Sequence, residues 1–247
     1  MHSKMAEAIK LKDSPVAILL TDQKPERAVQ FKAGPAAGTQ IGCVISMLKA
    51  ASKGRIAVFD ENTCGCTGGT VGLGFKKHEL GYIEYFLSSG KEDEIEGEYR
   101  KKTPELVREY MRNLPDIHLP ARYVVMKPLE KVTDEETDKV EVVVFLVNSD
   151  QLSALATLAN FDRPTNDNVV TFFGSGCSSV MSQVLEQAAS QQQKAVIGLT
   201  DITARQYLDK DILSFSVPYK RFLEMEDNVD KSFLKKGSGW LEIKKRL

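Results

Sequence analysis

The sequence predicts an α/β protein with a mixed β-sheet, and an α+β arrangement fits the same pattern. Two apolar, β-branched runs of strand length, Val16–Thr21 and Val140–Val147, are each followed by residues with helical periodicity. The 247 residues are 42% hydrophobic, which is enough to form a large core without disulfide bonds. Because strands alternate with helices, an all-helical bundle and a β-sandwich are both disfavoured.

In the first half of the chain, the strand Val16–Thr21 leads into a predicted helix over residues 39–51. Gly54 follows that helix at the position where a helix commonly ends. The remaining elements of this half are predicted as a strand over 55–59, a cysteine-containing loop over 63–74, a strand over 81–87 and a helix over 104–113.

In the second half, the strand Val140–Val147 leads into a predicted helix over residues 150–160, with Ser149 or Asp150 as its N-cap. The remaining elements are predicted as a strand over 168–173, a cysteine-containing loop over 174–179, a helix over 180–192, a strand over 212–217 and a helix over 219–225.

The same order of elements therefore occurs twice, which predicts an internal duplication. The two α/β halves, residues 1–120 and 121–247, are expected to pack about a pseudo-twofold axis as one compact unit. In that arrangement the two cysteine loops would reach one shared cleft.

Charge and hydropathy exclude several classes of partner. The 33 basic and 34 acidic residues nearly cancel, so no overall field attracts nucleic acid. The apolar stretches are shorter than a membrane span, and residues 1–12 do not have the pattern of a signal peptide. We therefore expect a cytoplasmic protein, with the oligomeric state left open.

Four cysteines in a reducing compartment are candidates for metal ligation, since soft thiolates bind iron–sulfur clusters, zinc or copper(I). Cys64 and Cys66 belong to the first glycine-rich loop, and Cys177 stands at the start of a predicted helix, where the dipole favours a thiolate. Cys43 falls within a predicted helix, where a buried core thiol is the ordinary interpretation. Structural thiols are the main alternative for all four.

Small residues around these cysteines suggest close contact with a bound group, because glycine lets the backbone approach a ligand. The candidate cofactor-binding residues are Gly65, Gly68, Gly69, Gly174, Gly176 and Ser178. The same loops could hold a small anion through backbone amides. The sequence has neither a phosphate-loop motif nor the elbow or helix motifs of familiar hydrolases.

Other polar residues are weaker candidates. His78 follows the glycine-rich loop and is a possible acid–base group. Asp60 and Glu61 end a predicted strand, where acidic residues commonly begin a turn.

Three separated motifs resemble the family known as domain of unknown function 169 (DUF169). They are I-G-C-V-I-S-M-L around Cys43, C-T-G-G-T-V-G-L-G-F beginning at Cys66, and G-C-S-S around Cys177. The opening L-K-D-S-P-V-A-I is also similar, and the resemblance extends from about residue 8 to about residue 227. It implies that these three cysteines matter most. Cys64 is an addition, Thr67 replaces a common proline, and the family supplies no established activity.

Two main hypotheses follow. The first is an iron–sulfur protein whose cluster is held by Cys43, Cys66 and Cys177, with Cys64 as a possible fourth ligand and a redox or Lewis-acid role. The second is a non-catalytic module that binds a small anion or zinc. Thiol catalysis by Cys177 with His78 as the base is a third possibility. A small-molecule ligand or a redox partner is expected in either main case.

Overall fold

A seven-stranded mixed sheet forms the centre of this computed structural model, which describes residues 1–36, 40–115 and 117–247. The strands are β1 Val16–Thr21, β2 Lys32–Ala33, β3 Gln40–Ile41, β4 Ala57–Phe59, β5 Tyr123–Pro128, β6 Val140–Val147, β7 Val169–Thr171, β8 Ala195–Gly198 and β9 Leu213–Pro218. The order in the large sheet is β4-β5-β1-β6-β9-β8-β7, and β2 and β3 form a separate hairpin. Only β7 and β8 pair in parallel among the described strands.

Helices cover both faces of the sheet. They are α1 Lys4–Ala8, α2 Val44–Ser52, α3 Thr67–Gly72, α4 Ile83–Phe86, α5 Pro104–Arg112, α6 Ser149–Ala159, α7 Gly176–Val180, α8 Ser182–Ala188, α9 Ile202–Arg205, α10 Tyr219–Asn228, α11 Phe233–Lys236 and α12 Ser238–Lys244. Short 3-10 turns occupy Leu129–Lys131, Asp134–Lys139 and Val229–Lys231. Within the described residues, no helix combines the length and apolar character needed to cross a membrane.

The two central strands are β1 and β6, and they match the sequence prediction because each is an apolar run buried on both faces. Ala17 and Leu19 point to one face, where α1, α6, α10 and α12 pack. Ile18 and Leu20 point to the opposite face, where α2, α7 and α8 pack. The only tryptophan, Trp240 on α12, lies in the first of these layers and is 4% exposed.

The mixed α/β class is confirmed, but the internal duplication is not. Strand order does show a rough symmetry, since β1 and β6 are neighbours and are flanked by β5 and β9. However, α2 packs in one layer and its supposed counterpart α6 packs in the other. A twofold axis that relates two adjacent antiparallel strands runs perpendicular to the sheet and leaves each face on its own side. It therefore cannot superpose α2 and α6, which pack on opposite faces. The division into two halves at residue 120 stays a prediction. β5 belongs to the second half but lies in the sheet between β4 and β1, which belong to the first half.

Several predicted boundaries change in the structure. Residues 81–87 are predicted as a strand, but Ile83–Phe86 is helical, because its large apolar residues recur at helical spacing and Tyr82 stacks on Phe86 at 5.5 Å. The predicted helix over 180–192 begins earlier, at Gly176, and breaks at Met181, whose φ is −136° and ψ is −81°. Position 39 of the predicted helix over 39–51 lies outside the described residues, and the observed helix begins at Val44.

Helix ends mostly follow the expected chemistry. Gly54 has a φ of +97° directly after α2, as expected for a glycine that ends a helix. The N-cap of α6 is Asn148, which precedes both predicted candidates, Ser149 and Asp150. Its side chain accepts from the Gln151 amide at 3.0 Å, and the Gln151 side chain accepts from the Asn148 amide at 3.1 Å.

Candidate functional site: a cavity lined by four thiols

One large cavity opens beside the layer that contains α2, α3 and α7, with a volume of about 1030 Å³. All four cysteines line it, and all four are free. The other sequence-predicted residues on its wall are Gly65, Gly68, Gly69, Gly174, Gly176, Ser178, His78 and Glu61. The structure therefore brings the two cysteine regions together, while the binding roles of these residues remain predictions.

The first cysteine region is more ordered than the predicted loop, because residues 67–72 form the helix α3. Cys66 is its N-cap, and the Cys66 Sγ accepts a hydrogen bond from the Gly69 amide at 3.4 Å. The Thr70 hydroxyl donates to the backbone oxygens of Cys64 at 2.8 Å and Cys66 at 3.0 Å. These contacts fix both cysteines against the start of the helix.

Glycine is required where α3 crosses α7. A Cβ atom at Gly72 would lie 2.6 Å from the Cys177 Cβ and 2.7 Å from the Ser178 backbone nitrogen. Real Cβ contacts are essentially never this short, so only glycine allows the two helices to approach this closely. At Gly68, in contrast, a Cβ atom would have no other atom within 4 Å, and this residue faces the open cavity.

Cys177 is the second residue of α7 and is 7% exposed. The thiolate expected from its place at a helix start is wrong, because burial raises the pKa of this thiol well above its usual value. Burial also raises the pKa of Cys64. Cys43 is not inside a helix as predicted: it precedes α2 as the N-cap and is half-buried at the cavity wall.

The iron–sulfur prediction is wrong. Among the residues that the structure describes, no group of three or more His, Cys, Asp or Glu side chains is arranged so as to hold a metal ion. A cluster held by Cys43, Cys66 and Cys177 needs all three sulfurs at ligand distance from one centre. The same finding applies to a zinc site of three or more such ligands. The described residues therefore supply no ligand set for the zinc alternative.

Asp201 organises the part of the cavity wall next to α7. Its carboxylate accepts hydrogen bonds from the Gly176 amide at 3.1 Å, the Thr203 hydroxyl at 2.7 Å and the Arg100 guanidinium at 3.1 Å. It thereby ties α7, α9 and the segment after α4 to one point. Leu199, two residues before it, is fully buried with a φ of +61°, a left-handed conformation that only strong surrounding contacts sustain.

Aromatic side chains form much of the remaining wall, and no sequence pattern signals their convergence. Tyr82, Phe173 and Tyr207 line the cavity and are 58%, 46% and 40% exposed. Tyr110 packs edge-on against Phe173 at 5.2 Å between ring centroids, and its hydroxyl donates to the Phe173 backbone oxygen. Burial, with the charge of Asp201, raises the pKa of Tyr110 to about 12.

Two polar candidates from the sequence, Asp60 and His78, differ in their surroundings. Asp60 accepts from the Asn62 and Thr63 amides and the Thr63 hydroxyl, so it shapes a turn, in agreement with the ordinary interpretation of an acidic residue after a strand. His78 lies on the cavity wall, where burial lowers its pKa, so its imidazole is neutral at neutral pH.

The fold and the site thus define a mixed α/β protein with a cavity lined by thiols and aromatic rings. The chain matches the DUF169 family, described as Uncharacterised ArCR, over residues 4–228, and it belongs to that family. The resemblance based on the three cysteine motifs is confirmed. No curated protein and no solved structure matches the chain.

Proposed function

We propose that the protein binds a small, uncharged or zwitterionic organic molecule with a flat apolar part in this cavity. The observation that carries the proposal is the group of three exposed aromatic side chains, Tyr82, Phe173 and Tyr207, around one cavity. Large apolar groups gathered at a single concave surface favour a ligand that covers them.

The size of the cavity supports the same conclusion. Pockets for small molecules have volumes of roughly 300 to 1,000 Å³, and they are lined mostly by apolar side chains with a few polar groups. The cavity of about 1030 Å³ lies at the upper end of that range. Ser175, Ser178 and Thr200 supply hydroxyl groups on its wall.

Charge argues against a strongly anionic ligand. The wall includes three basic residues, Lys76, Lys77 and Arg100, and three acidic residues, Glu61, Glu79 and Asp201. Ion pairs form between the two sets, since Arg100 contacts Asp201 and Lys76 lies 3.7 Å from Glu61. The balanced wall therefore favours recognition by apolar contact and hydrogen bonds over recognition of a polyphosphate.

We also propose that the protein is located in the cytoplasm. Four free thiols at one cavity suit a reducing cytoplasm, where thiols are not converted to disulfides.

A cavity-blocking variant tests the binding function. Gly68→Leu adds a side chain into open space on the wall, and the position does not require a left-handed backbone. The neutral aromatic dye Nile red serves as the probe, with fluorescence titration as the measurement. We expect the native protein to bind it, and Gly68→Leu to weaken binding by about tenfold or more, which corresponds to about 1.4 kcal/mol.

Gly239→Leu is the matched control, because Gly239 also has no atom within 4 Å of its Cβ position but lies on α12. It should bind the dye like the native protein. Native mass spectrometry of the protein purified from cells should show a bound molecule that is absent from Gly68→Leu. Equal dye binding by all three proteins would refute the proposal.

A further inference from the structure

Cys66 is the thiol that combines access with close thiol neighbours. It is half-buried on the cavity wall, and its sulfur accepts the Gly69 amide hydrogen bond at 3.4 Å. Cys64 and Cys177 line the same cavity but are each only 7% exposed. A reagent in the cavity therefore reaches Cys66 more readily than either of these two neighbours.

Two glycines of α3, Gly69 and Gly72, lie close to these three cysteines. The Cβ position at Gly69 lies 3.4 Å from the Cys66 Cβ and 3.5 Å from the Cys64 Sγ. One turn further along the same helix, Gly72 contacts Cys177. Residues three apart on a helix lie on one face, so Gly69 and Gly72 place Cys64 and Cys177 along one side of α3, whose start is capped by Cys66.

Electrostatics place Cys66 within interaction range of both buried thiols, Cys177 and Cys64. After burial, which is the main cause of its raised pKa, the largest further contribution to the pKa of Cys177 is the charge of Cys66, ahead of those of Cys43 and Cys64. A buried thiol with a raised pKa stays protonated and reacts slowly with reagents from solution. It attacks a neighbouring sulfur only as the thiolate, so a resolving step has to be intramolecular and coupled to release of its proton.

We propose that Cys66 exchanges with small-molecule disulfides that enter the cavity and that Cys177 then resolves the mixed disulfide. The inference rests on the proposed function, because the disulfide occupies the same cavity as the ligand. It adds a chemical activity, the two-electron reduction of a disulfide by a dithiol.

The exchange proceeds in two balanced steps. The Cys66 thiolate forms a bond to one sulfur of R–S–S–R, and R–S⁻ leaves and takes up the proton that Cys66 released. The Cys177 sulfur then bonds to the Cys66 sulfur, and the second R–S⁻ leaves with the proton of Cys177. The small molecule is reduced to two R–SH, and the protein is oxidised by the loss of two hydrogen atoms to a Cys66–Cys177 disulfide.

The aromatic disulfide dithiobis(nitrobenzoate) is the probe, because each exchange releases a coloured thiolate. In the native protein we expect a fast phase that releases two thiolates and leaves no adduct by mass spectrometry. Cys66→Ser should lose the fast phase, because a hydroxyl does not replace the thiolate nucleophile. Cys177→Ser should release one thiolate in that phase and retain one aromatic adduct.

Gly239→Leu is the control, since Gly239 lies on α12 away from the cavity, and this variant should react like the native protein. Peptide mapping of the oxidised native protein requires no variant and should recover Cys66 linked to Cys177. A fast phase that persists in Cys66→Ser, or an adduct trapped by Cys64→Ser and not by Cys177→Ser, would overturn the inference. Nile red binding without fast exchange would overturn the exchange alone, whereas fast exchange without dye binding would count against the proposed function.

Discussion

Substitution of two glycines in one short helix by alanine should have opposite effects on stability. Gly68 and Gly72 both belong to α3, and both substitutions remove the backbone freedom of glycine in a helix. That change alone stabilises a protein by roughly 0.5 to 1 kcal/mol. Only the surroundings of the added methyl group differ between the two positions.

At Gly68 the methyl group meets no atom within 4 Å, so the full gain should be observed. At Gly72 it would lie 2.6 Å from the Cys177 Cβ and 2.7 Å from the Ser178 nitrogen. Backbone of α7 cannot move away as a flexible side chain does, and overpacking of this kind costs typically about 1 to 3 kcal/mol. Subtraction of the backbone gain leaves Gly72→Ala near neutral at best and destabilised by roughly 2.5 kcal/mol at worst.

Urea unfolding followed by Trp240 fluorescence measures both effects. We expect the urea midpoint to be higher than that of the native protein in Gly68→Ala and lower in Gly72→Ala, with similar slopes. The unfolding free energies of the two variants should differ by about 1 to 3 kcal/mol. Because the helix contribution is common to both variants, the separation reports the contact between α3 and α7. An equal rise in both midpoints would refute the close approach of these helices.

Three further predictions concern parts of the structure away from the cavity. Asn148→Ala removes the N-cap of α6 and should lower the unfolding free energy by about 1 kcal/mol in the same assay. Glu226→Gln should speed amide hydrogen exchange in Lys4–Ala8, because the carboxylate accepts from two backbone amides and one hydroxyl there and an amide cannot accept at both positions. The hydrogen bond from Arg221 holds the pKa of Asp162 below its usual value, so this contact stabilises the fold fully above about pH 4 and less as the pH falls through the lower folded-state pKa. Asp162→Asn should therefore show a shallower loss of stability in acid, as measured by urea midpoints at several pH values.

The sequence is sufficient to predict the strands that are buried on both faces. The runs Val16–Thr21 and Val140–Val147 have the predicted bounds, because a continuous β-branched segment at the centre of a sheet has few alternatives. Shorter strands at the sides depend on their partners. Tyr123–Pro128 and Ala195–Gly198 are absent from the sequence prediction, since four to six residues without periodicity do not distinguish a strand from a loop.

The sequence predicts which residues meet at the cavity better than it predicts their chemistry. Cys43, Cys66 and Cys177 do line one cavity, although the duplication that motivated a shared cleft is not confirmed. Metal ligation, however, depends on distances between sulfurs, which sequence spacing does not determine when the cysteines are far apart in the chain. The protonation of Cys177 depends on the balance between a helix terminus and burial, and only the structure reveals that burial dominates.

The position of Trp240 determines which optical signals can report on this protein. Its indole lies in the layer on one side of the sheet, whereas the thiol cavity adjoins the layer on the other side. Tryptophan emission should therefore follow the loss of the fold and remain unchanged when the cavity fills. The phenylalanine and tyrosine rings at the cavity contain no indole, so they do not emit when tryptophan is excited selectively. They belong to Tyr82, Phe86, Tyr110, Phe173 and Tyr207. A titration that is silent by tryptophan emission is thus the expected behaviour of a protein that is binding its ligand, and occupancy has to be observed through the ligand itself.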